Sequence, residues 1–150
     1  MFVPPLPEDA WIPPKIAQTI SARLQPDDVL VCQLGLGSHV DHVLLRQGAE
    51  LVRRPLFYAM DVPYIFYDPR EAESKSAGMQ ESVQLITETG LNRWKEAALA
   101  YKSQISGLGE VFNTPEKVQE SIQVYWAERG GIRLLQTESG PKSLVLTLKS

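Results

Sequence analysis

The sequence predicts a single α/β domain, spanning residues 1–150, in which helices cover a largely parallel sheet. A short apolar run at residues 29–33 ends in a turn, and helical patterns precede and follow it. Further helical patterns alternate with strand-like runs later in the chain, which is typical of helices packed on parallel strands. With 150 residues, 43% of them hydrophobic, the chain has the size and apolar content for one core.

The first part of the chain is predicted to run helix, strand, loop, helix. Residues 15–24 follow two prolines and carry an apolar residue at every fourth position, which predicts an amphipathic helix. The run 29–33 is rich in β-branched residues and predicts a buried strand, so we interpret Cys32 as a small core residue in preference to a catalytic thiol. The next helix is predicted to begin near Asp41 and to end before Pro55.

The later elements follow from the same patterns. The aromatic segments 56–60 and 64–67 predict at least one strand near a sheet edge, because Pro63 lies between them. Residues 71–80 are small and polar, which predicts a solvent-exposed connection. The run 82–86 fits a strand or a short helix equally well. Helices are predicted over 91–105 and 115–129, and strands over 132–135 and 144–148.

Charge and hydropathy argue against two classes of partner. The formal net charge is −3 and the basic residues are scattered, so the chain lacks the basic surface that binds nucleic acid. No apolar run approaches the roughly 20 residues that cross a bilayer. The first residues lack the basic start and apolar stretch of a secretory signal. We therefore expect a cytoplasmic protein that neither binds nucleic acid nor spans a membrane.

Both histidines of the chain lie in one short segment after the first predicted strand. His39 and His42 flank Asp41, and Gly35 and Gly37 precede them. In open α/β sheets, ligands bind outside the carboxyl ends of the strands, which is where this segment is expected to lie. Imidazole is the commonest zinc ligand, and a carboxylate can bind metal or orient a neighbouring imidazole. The segment is the best candidate for a functional site.

A structural interpretation of the same residues stays open at this point. Asp41 or Ser38 can cap the following helix while the histidines are simply solvated or satisfied by hydrogen bonds. The tetrapeptide of two histidines around a carboxylate does not decide between capping and chemistry.

Longer stretches around the cluster resemble a known family. Residues 27–50 resemble the second signature of the zinc-dependent PIG-L, or LmbE-like, N-deacetylase family, with its strand, glycine-rich turn, His-x-Asp-His and helix. Residues 58–64 are similar to an aromatic-Asp-x-Pro-Tyr segment of one branch, and residues 95–104 to the family's lysine-to-Tyr-x-Ser-Gln helix. The resemblance covers most of the chain from Pro13 to about Gly107, and it implies a Rossmann-like fold.

The resemblance also implies an activity and roles for individual residues. The implied reaction is hydrolysis of the N-acetyl group of an amino sugar or its conjugate, such as an N-acetylglucosaminide, with zinc as cofactor. His42 would bind the zinc, His39 would stabilise the acyl oxygen, and Asp41 would orient an imidazole. Asp61 and Tyr64 are candidates for lining a sugar pocket, although a turn before an edge strand explains these residues equally well.

The family's other signature, a His-Pro-Asp-Asp-Glu type motif, has no counterpart in this sequence. No histidine precedes His39, and we interpret Pro26-Asp27-Asp28 as a turn because it comes before a strand. A catalytic zinc normally needs three protein ligands, and His42 alone is too few. We therefore expect the chain to resemble the C-terminal part of such a deacetylase, without the family's first strand and helix.

Two functions remain open from the sequence. In the first, a second copy of the chain or a complementing N-terminal chain completes the metal site of an N-deacetylase. In the second, the chain is a non-catalytic scaffold that binds a sugar or another protein.

Overall fold

Helices and strands alternate along the chain, which is seen here in a computed structural model that describes residues 3–105 and 112–137. Short 3-10 turns precede the first helix and follow the first two strands. The predicted strand at 144–148 lies outside the described residues. In chain order the elements are α1 (Ile12–Ser21), β1 (Leu30–Gln33), α2 (Val40–Leu51), β2 (Leu56–Ala59), α3 (Pro69–Lys75), β3 (Met79–Leu85), α4 (Glu88–Ala100), α5 (Lys102–Ile105), α6 (Pro115–Arg129) and β4 (Gly131–Thr137).

Within residues 3–105 and 112–137, four strands form one sheet in the order β1-β2-β4-β3. The layered α/β fold predicted from the sequence is confirmed. Parallel pairing is confined to β1 and β2, which are joined through α2, whereas β4 runs antiparallel to both of its neighbours. The two long helices α4 and α6 intervene between β3 and β4, so the chain returns to the end of the sheet at which β3 stops. Leu85 consequently pairs with Gly131, and the sheet is mixed.

Polar side chains at the helix starts explain where several helices begin. In each case a side-chain atom accepts a hydrogen bond from a backbone N–H of the first turn, which satisfies one of the donors that a helix start leaves unpaired. Gly130, with φ of 72°, ends α6 in the left-handed conformation that glycine adopts without strain. The capping residues are His39 for α2, Asp68 for α3, Thr87 for α4 and Thr114 for α6.

Three local predictions differ from the structure or are now decided. β2 lies between β1 and β4, away from the sheet edge, and residues 64–66 form a 3-10 turn where a second strand was a candidate. Residues 71–80 are not a connection, because they contribute to α3 and to the start of β3. Residues up to 85 of the ambiguous run are strand. Helix α3 buries a single residue, Ala72, so its sequence has no periodic apolar pattern that predicts a helix.

The core lies mainly between the sheet and the helices α2, α3 and α6. Leu34, Leu36 and Leu135 are almost fully buried there, and Tyr58 packs beside them. A second apolar cluster lies between α4 and α6, and Trp94 packs against both clusters. None of the described helices has the length and apolar character to cross a membrane.

Helix α1 packs across α2, and the two helices are in close contact at Gly48. A Cβ atom at Gly48 would lie 2.5 Å from Cγ2 of Ile16 and 3.2 Å from the carbonyl oxygen of Pro13. Neither group can move far, since one belongs to a β-branched side chain and the other to the backbone. Gly48 is therefore required for the two helices to touch.

We predict that Gly48→Ala lowers the free energy of unfolding by about 1–3 kcal/mol, because the added methyl group overpacks this contact. Urea unfolding followed by circular dichroism measures the change. Gly90→Ala in α4 is the control, since its Cβ would meet neighbours at an ordinary 3.5 Å. That control should be neutral or stabilising by up to about 1 kcal/mol. Equal effects of the two substitutions would contradict the close crossing.

Cys32 is a core residue, with 8% of its surface exposed. Burial raises the pKa of its thiol from 9.0 to about 12, against the lowering influence of Arg46. At pH 8 the folded protein should therefore contain roughly a thousandfold less thiolate than an ordinary cysteine would.

We predict that the Cys32 thiol reacts with a disulfide reagent far more slowly in the folded protein than in urea at pH 8. The unfolded thiol ionises near pH 9 while the folded one stays protonated, so the free energy of unfolding should also fall as pH rises above 9. Rapid labelling of the folded protein would show that the thiol is accessible and ionised.

Candidate functional site

A buried contact between His42 and Asp61 forms the centre of the candidate site. The parallel strands β1 and β2 have their carboxyl ends on the same side of the sheet. His42 follows the loop after β1, and Asp61 lies two residues after β2. Nδ1 of His42 is 2.9 Å from Oδ1 of Asp61. Neither buried atom forms a hydrogen bond of good angular geometry with any described residue, and this 2.9 Å contact is the polar interaction that the structure gives to both.

The second oxygen of Asp61 holds the backbone of the glycine-rich loop. Oδ2 accepts hydrogen bonds from the backbone N–H groups of Gly35 at 2.8 Å and Leu36 at 3.0 Å. Asp61 itself is 3% exposed, so its charge depends on these donors and on His42 for compensation. One carboxylate thus joins the exit of β1, the end of β2 and the first turn of α2.

Three more side chains brace the same loop. The Glu71 carboxylate accepts from the N–H of Gly37 at 2.9 Å, and Arg46 donates to the carbonyl of Leu34 at 2.8 Å. The Lys75 ammonium donates to the carbonyl of Gly35 and pairs with Glu71 at 2.9 Å. Side chains from α2 and α3 therefore fix the loop from both sides.

The glycines of the loop are required by its backbone. Gly35 and Gly37 have φ of 82° and 73°, which is the left-handed region that other residues adopt at a cost. A Cβ atom at Gly37 would also lie 2.8 Å from Cδ1 of Tyr64. The loop packs against the Tyr64 ring because residue 37 is a glycine and has no Cβ atom.

His39 has a structural role that the sequence did not predict, since it caps α2 in place of Asp41 or Ser38. Its Nδ1 accepts a hydrogen bond from the backbone N–H of Asp41 at 3.2 Å. An amide N–H can only donate, so Nδ1 must present its lone pair, and the ring proton of neutral His39 lies on Nε2. The carboxylate of Asp41 is 80% exposed and lies 3.8 Å from Nδ1 of His39.

The structure brings His39, His42, Asp61 and Tyr64 together. The two imidazole rings have centroids 5.4 Å apart, and the Tyr64 ring meets His42 edge to face at 5.2 Å. Burial and then the charge of Asp61 raise the pKa of Tyr64, so its hydroxyl stays protonated. The side chain of Asp41 instead extends towards solvent.

Sequence reasoning did not predict the supporting residues Glu71 and Lys75, because their segment was interpreted as an exposed connection. A signal was present: Asp68-Pro69 is a helix start, and an acidic and a basic residue four positions apart follow it. For Asp61, the sequence predicted contact with a substrate. The structure instead places its oxygens on His42 and on backbone N–H groups.

The geometry leaves Nε2 of His42 as the ring atom that can bind a metal. A metal-binding histidine typically directs its other ring nitrogen towards a carboxylate, and Nδ1 of His42 lies 2.9 Å from Oδ1 of Asp61. Across residues 3–105 and 112–137, however, no group of three His, Cys, Asp or Glu residues could hold an ion together. These residues therefore fit one ligand position and do not supply a complete zinc site.

Comparison with known proteins establishes a fold. No protein-family model and no curated protein matches the sequence. The zinc-inhibited form of teicoplanin deacetylase Orf2 superposes with a TM-score of 0.66 and 19% identity, covering 90% of this chain and 56% of that one. The deacetylase Dbv21, which acts on the A40926 pseudoaglycone, gives a TM-score of 0.63 and 21% identity, covering 86% and 57%. This chain therefore spans a little over half the length of either deacetylase.

We predict that Asp61→Asn lowers the free energy of unfolding by about 1–3 kcal/mol. An amide has a single acceptor oxygen, so either His42 or the two loop N–H groups lose their partner. Asp41→Asn is the matched control, because its carboxylate is exposed, and it should change stability by less than about 0.5 kcal/mol. Urea unfolding of the three proteins at pH 7 decides the matter. An undiminished stability of Asp61→Asn would show that the buried carboxylate does not hold the loop.

Proposed function

We propose that this chain carries part of the active site of a zinc-dependent N-deacetylase, which hydrolyses the N-acetyl group of an amino sugar or its conjugate. The observation that carries the proposal is the buried Asp61–His42 pair beside His39, at the carboxyl ends of the parallel strands β1 and β2. The similarity of the fold to two deacetylases supports it.

His42 is the proposed zinc ligand, through Nε2. Asp61 is proposed as a positioning residue, because its carboxylate holds Nδ1 of His42 and makes the ring a better ligand. When bound, zinc lowers the pKa of its water to about 7 and polarises the acyl carbonyl. The chain's own contribution is to hold the imidazole in one orientation.

His39 is proposed to donate a hydrogen bond to the acyl oxygen. Its Nδ1 is occupied by the N–H of Asp41, so Nε2 carries the proton that such a bond needs. A fixed donor stabilises the negative charge that develops on this oxygen during hydrolysis. Asp41 acts in this scheme through its backbone, and Tyr64 remains the proposed wall of the sugar pocket.

The remaining zinc ligands are proposed to come from a second segment that pairs with β1, supplied by another copy of the chain or by a complementing N-terminal chain. In the described sheet β1 is an edge strand, and Val31 is 51% exposed. The N–H groups of Leu30 and Leu34 point to carbonyls on the β2 side, so those of Val31 and Gln33 point to the free edge. A parallel strand added there would end beside the histidine loop.

We predict that zinc binding depends on His42 and not on His39. His42→Gln keeps a donor for Asp61 but removes the imidazole, whereas His39→Asn keeps a capping group for α2. Plasma mass spectrometry should give up to one zinc per chain in the wild type and in His39→Asn, and none in His42→Gln. Native mass should show the zinc in an assembly larger than one chain.

Activity is measured as acetate released from N-acetylglucosaminides by the same preparations. His39→Asn should retain zinc and lose about 10²–10³-fold in kcat, because one oxyanion donor is missing. Zinc that persists in His42→Gln would refute the ligand assignment. If the wild type took up no zinc even when offered it, a second copy of the chain would be ruled out as the source of the missing ligands, and this chain alone would be a non-catalytic scaffold.

A further inference from the structure

A cavity of about 1000 Å³ lies between α3 and α6, apart from the histidine cluster. Ligand pockets typically measure roughly 300–1000 Å³, so the cavity has room for a substantial small molecule. His39, His42 and Tyr64 are not among its lining residues. Its apolar surface includes Ile65, Phe66, Ala72, Phe112 and Val124.

Two buried polar atoms in the lining point to a ligand. The hydroxyl of Tyr125 lies near the backbone N–H of Arg133, and neither this hydroxyl nor Nε of Arg133 donates a hydrogen bond to a described residue. Tyr125 is 4% exposed, and both residues line the cavity. Burial raises the pKa of Tyr125, although the guanidinium and backbone N–H of Arg133 act against it, so the hydroxyl keeps its proton. The hydroxyl of Tyr125 can accept as well as donate, but its proton and the proton on Nε of Arg133 have no acceptor among the described residues. A ligand that satisfies these two donors must offer acceptors.

The side chains that line the cavity disfavour anions, cations and hydrocarbons as ligands. Arg133 is paired with Glu81 and Arg129 with Glu128, so neither guanidinium is available to an anion at full strength. The described lining contains four glutamates against three Lys or Arg residues, which further disfavours an anion. A cation or a pure hydrocarbon is disfavoured because neither offers an acceptor to the two donors.

We propose that this cavity is a second binding site and that it takes a neutral saccharide. Sugar oxygens accept from Tyr125 and Arg133, and sugar hydroxyls donate to Glu73 and Glu120, which also line the cavity. The apolar C–H face of the sugar ring packs on Phe66 and its aromatic neighbours. A saccharide combines acceptors, donors and an apolar face without net charge.

The segment 60–66 is a wall between this cavity and the histidine cluster. Met60 and Ile65 line the cavity, whereas Asp61 and Tyr64 contact His42. A saccharide in the cavity would therefore lie behind the candidate site without touching its histidines. The inference goes beyond the proposed deacetylase activity, because binding here requires neither zinc nor a completed metal site.

The test is a titration of the full chain with each probe, in the presence of a chelator that removes zinc. Binding is monitored by the chemical shifts of the backbone amides. The probes are cellobiose and N,N′-diacetylchitobiose, with glucose 6-phosphate and spermidine as charged comparators. The neutral disaccharides should shift the amides of α3 and α6 and bind more tightly than either comparator. Tyr125→Phe should weaken their binding at least tenfold.

Tyr58→Phe is the matched control, because Tyr58 is equally buried and its hydroxyl contacts Glu50. This control should bind the disaccharides as the wild type does. Ser121→Trp fills the cavity from α6 and should abolish binding while the amide spectrum shows a folded protein.

Three outcomes would overturn the inference. Neutral disaccharides could cause no shifts, or their shifts could map to Gly37–His42 in place of α3 and α6. Tyr125→Phe could also bind as tightly as the wild type. None of these outcomes bears on zinc binding by His42, so this proposal and the deacetylase proposal fail separately.

Discussion

The buried carboxylate of Asp61 is the interaction on which the candidate site depends. A carboxylate that is 3% exposed needs strong compensation, and here the loop N–H groups of Gly35 and Leu36 and the ring of His42 provide it. These partners come from the exit of β1 and from α2, whereas Asp61 follows β2. The contacts of the Asp61 carboxylate therefore hold the exit of β1, the end of β2 and the start of α2 in a fixed arrangement at the carboxyl ends of these strands.

In that arrangement the two histidines, which are three positions apart, use their Nδ1 atoms differently. His42 uses Nδ1 towards Asp61 and leaves Nε2 for a metal, whereas His39 uses Nδ1 as an acceptor at the start of α2 and keeps its proton on Nε2. The His42 ring can thus bind a metal ion, and the His39 ring can donate a hydrogen bond. A helix cap and a catalytic donor are compatible in His39, because they use different ring atoms.

The sequence predicted the elements that carry strong periodic patterns and missed those that depend on long-range contacts. Strand β1 and helices α1, α2, α4 and α6 follow from apolar spacing and capping residues, and the grouping of the histidines followed from their position after β1. Helix α3 has almost no apolar face, so its pattern resembled a connection. The partnership of Asp61 with His42 joins residues 19 positions apart in the sequence, and no local spacing encodes it. The direction of β4 depends on the path through α4 and α6, which patterning does not specify. The cytoplasmic location and the C-terminal correspondence remain predictions.

The protonation pattern of the two imidazole rings tests this account most directly. The chain has two histidines, so a long-range ¹H–¹⁵N spectrum of the metal-free protein, at a pH where both rings are neutral, contains two ring patterns. His39→Asn assigns them. We expect His42 to be protonated on Nδ1 and His39 on Nε2. A His42 ring protonated on Nε2, with Nδ1 bare, would contradict it, because Asp61 would then hold no imidazole in the orientation that a metal requires.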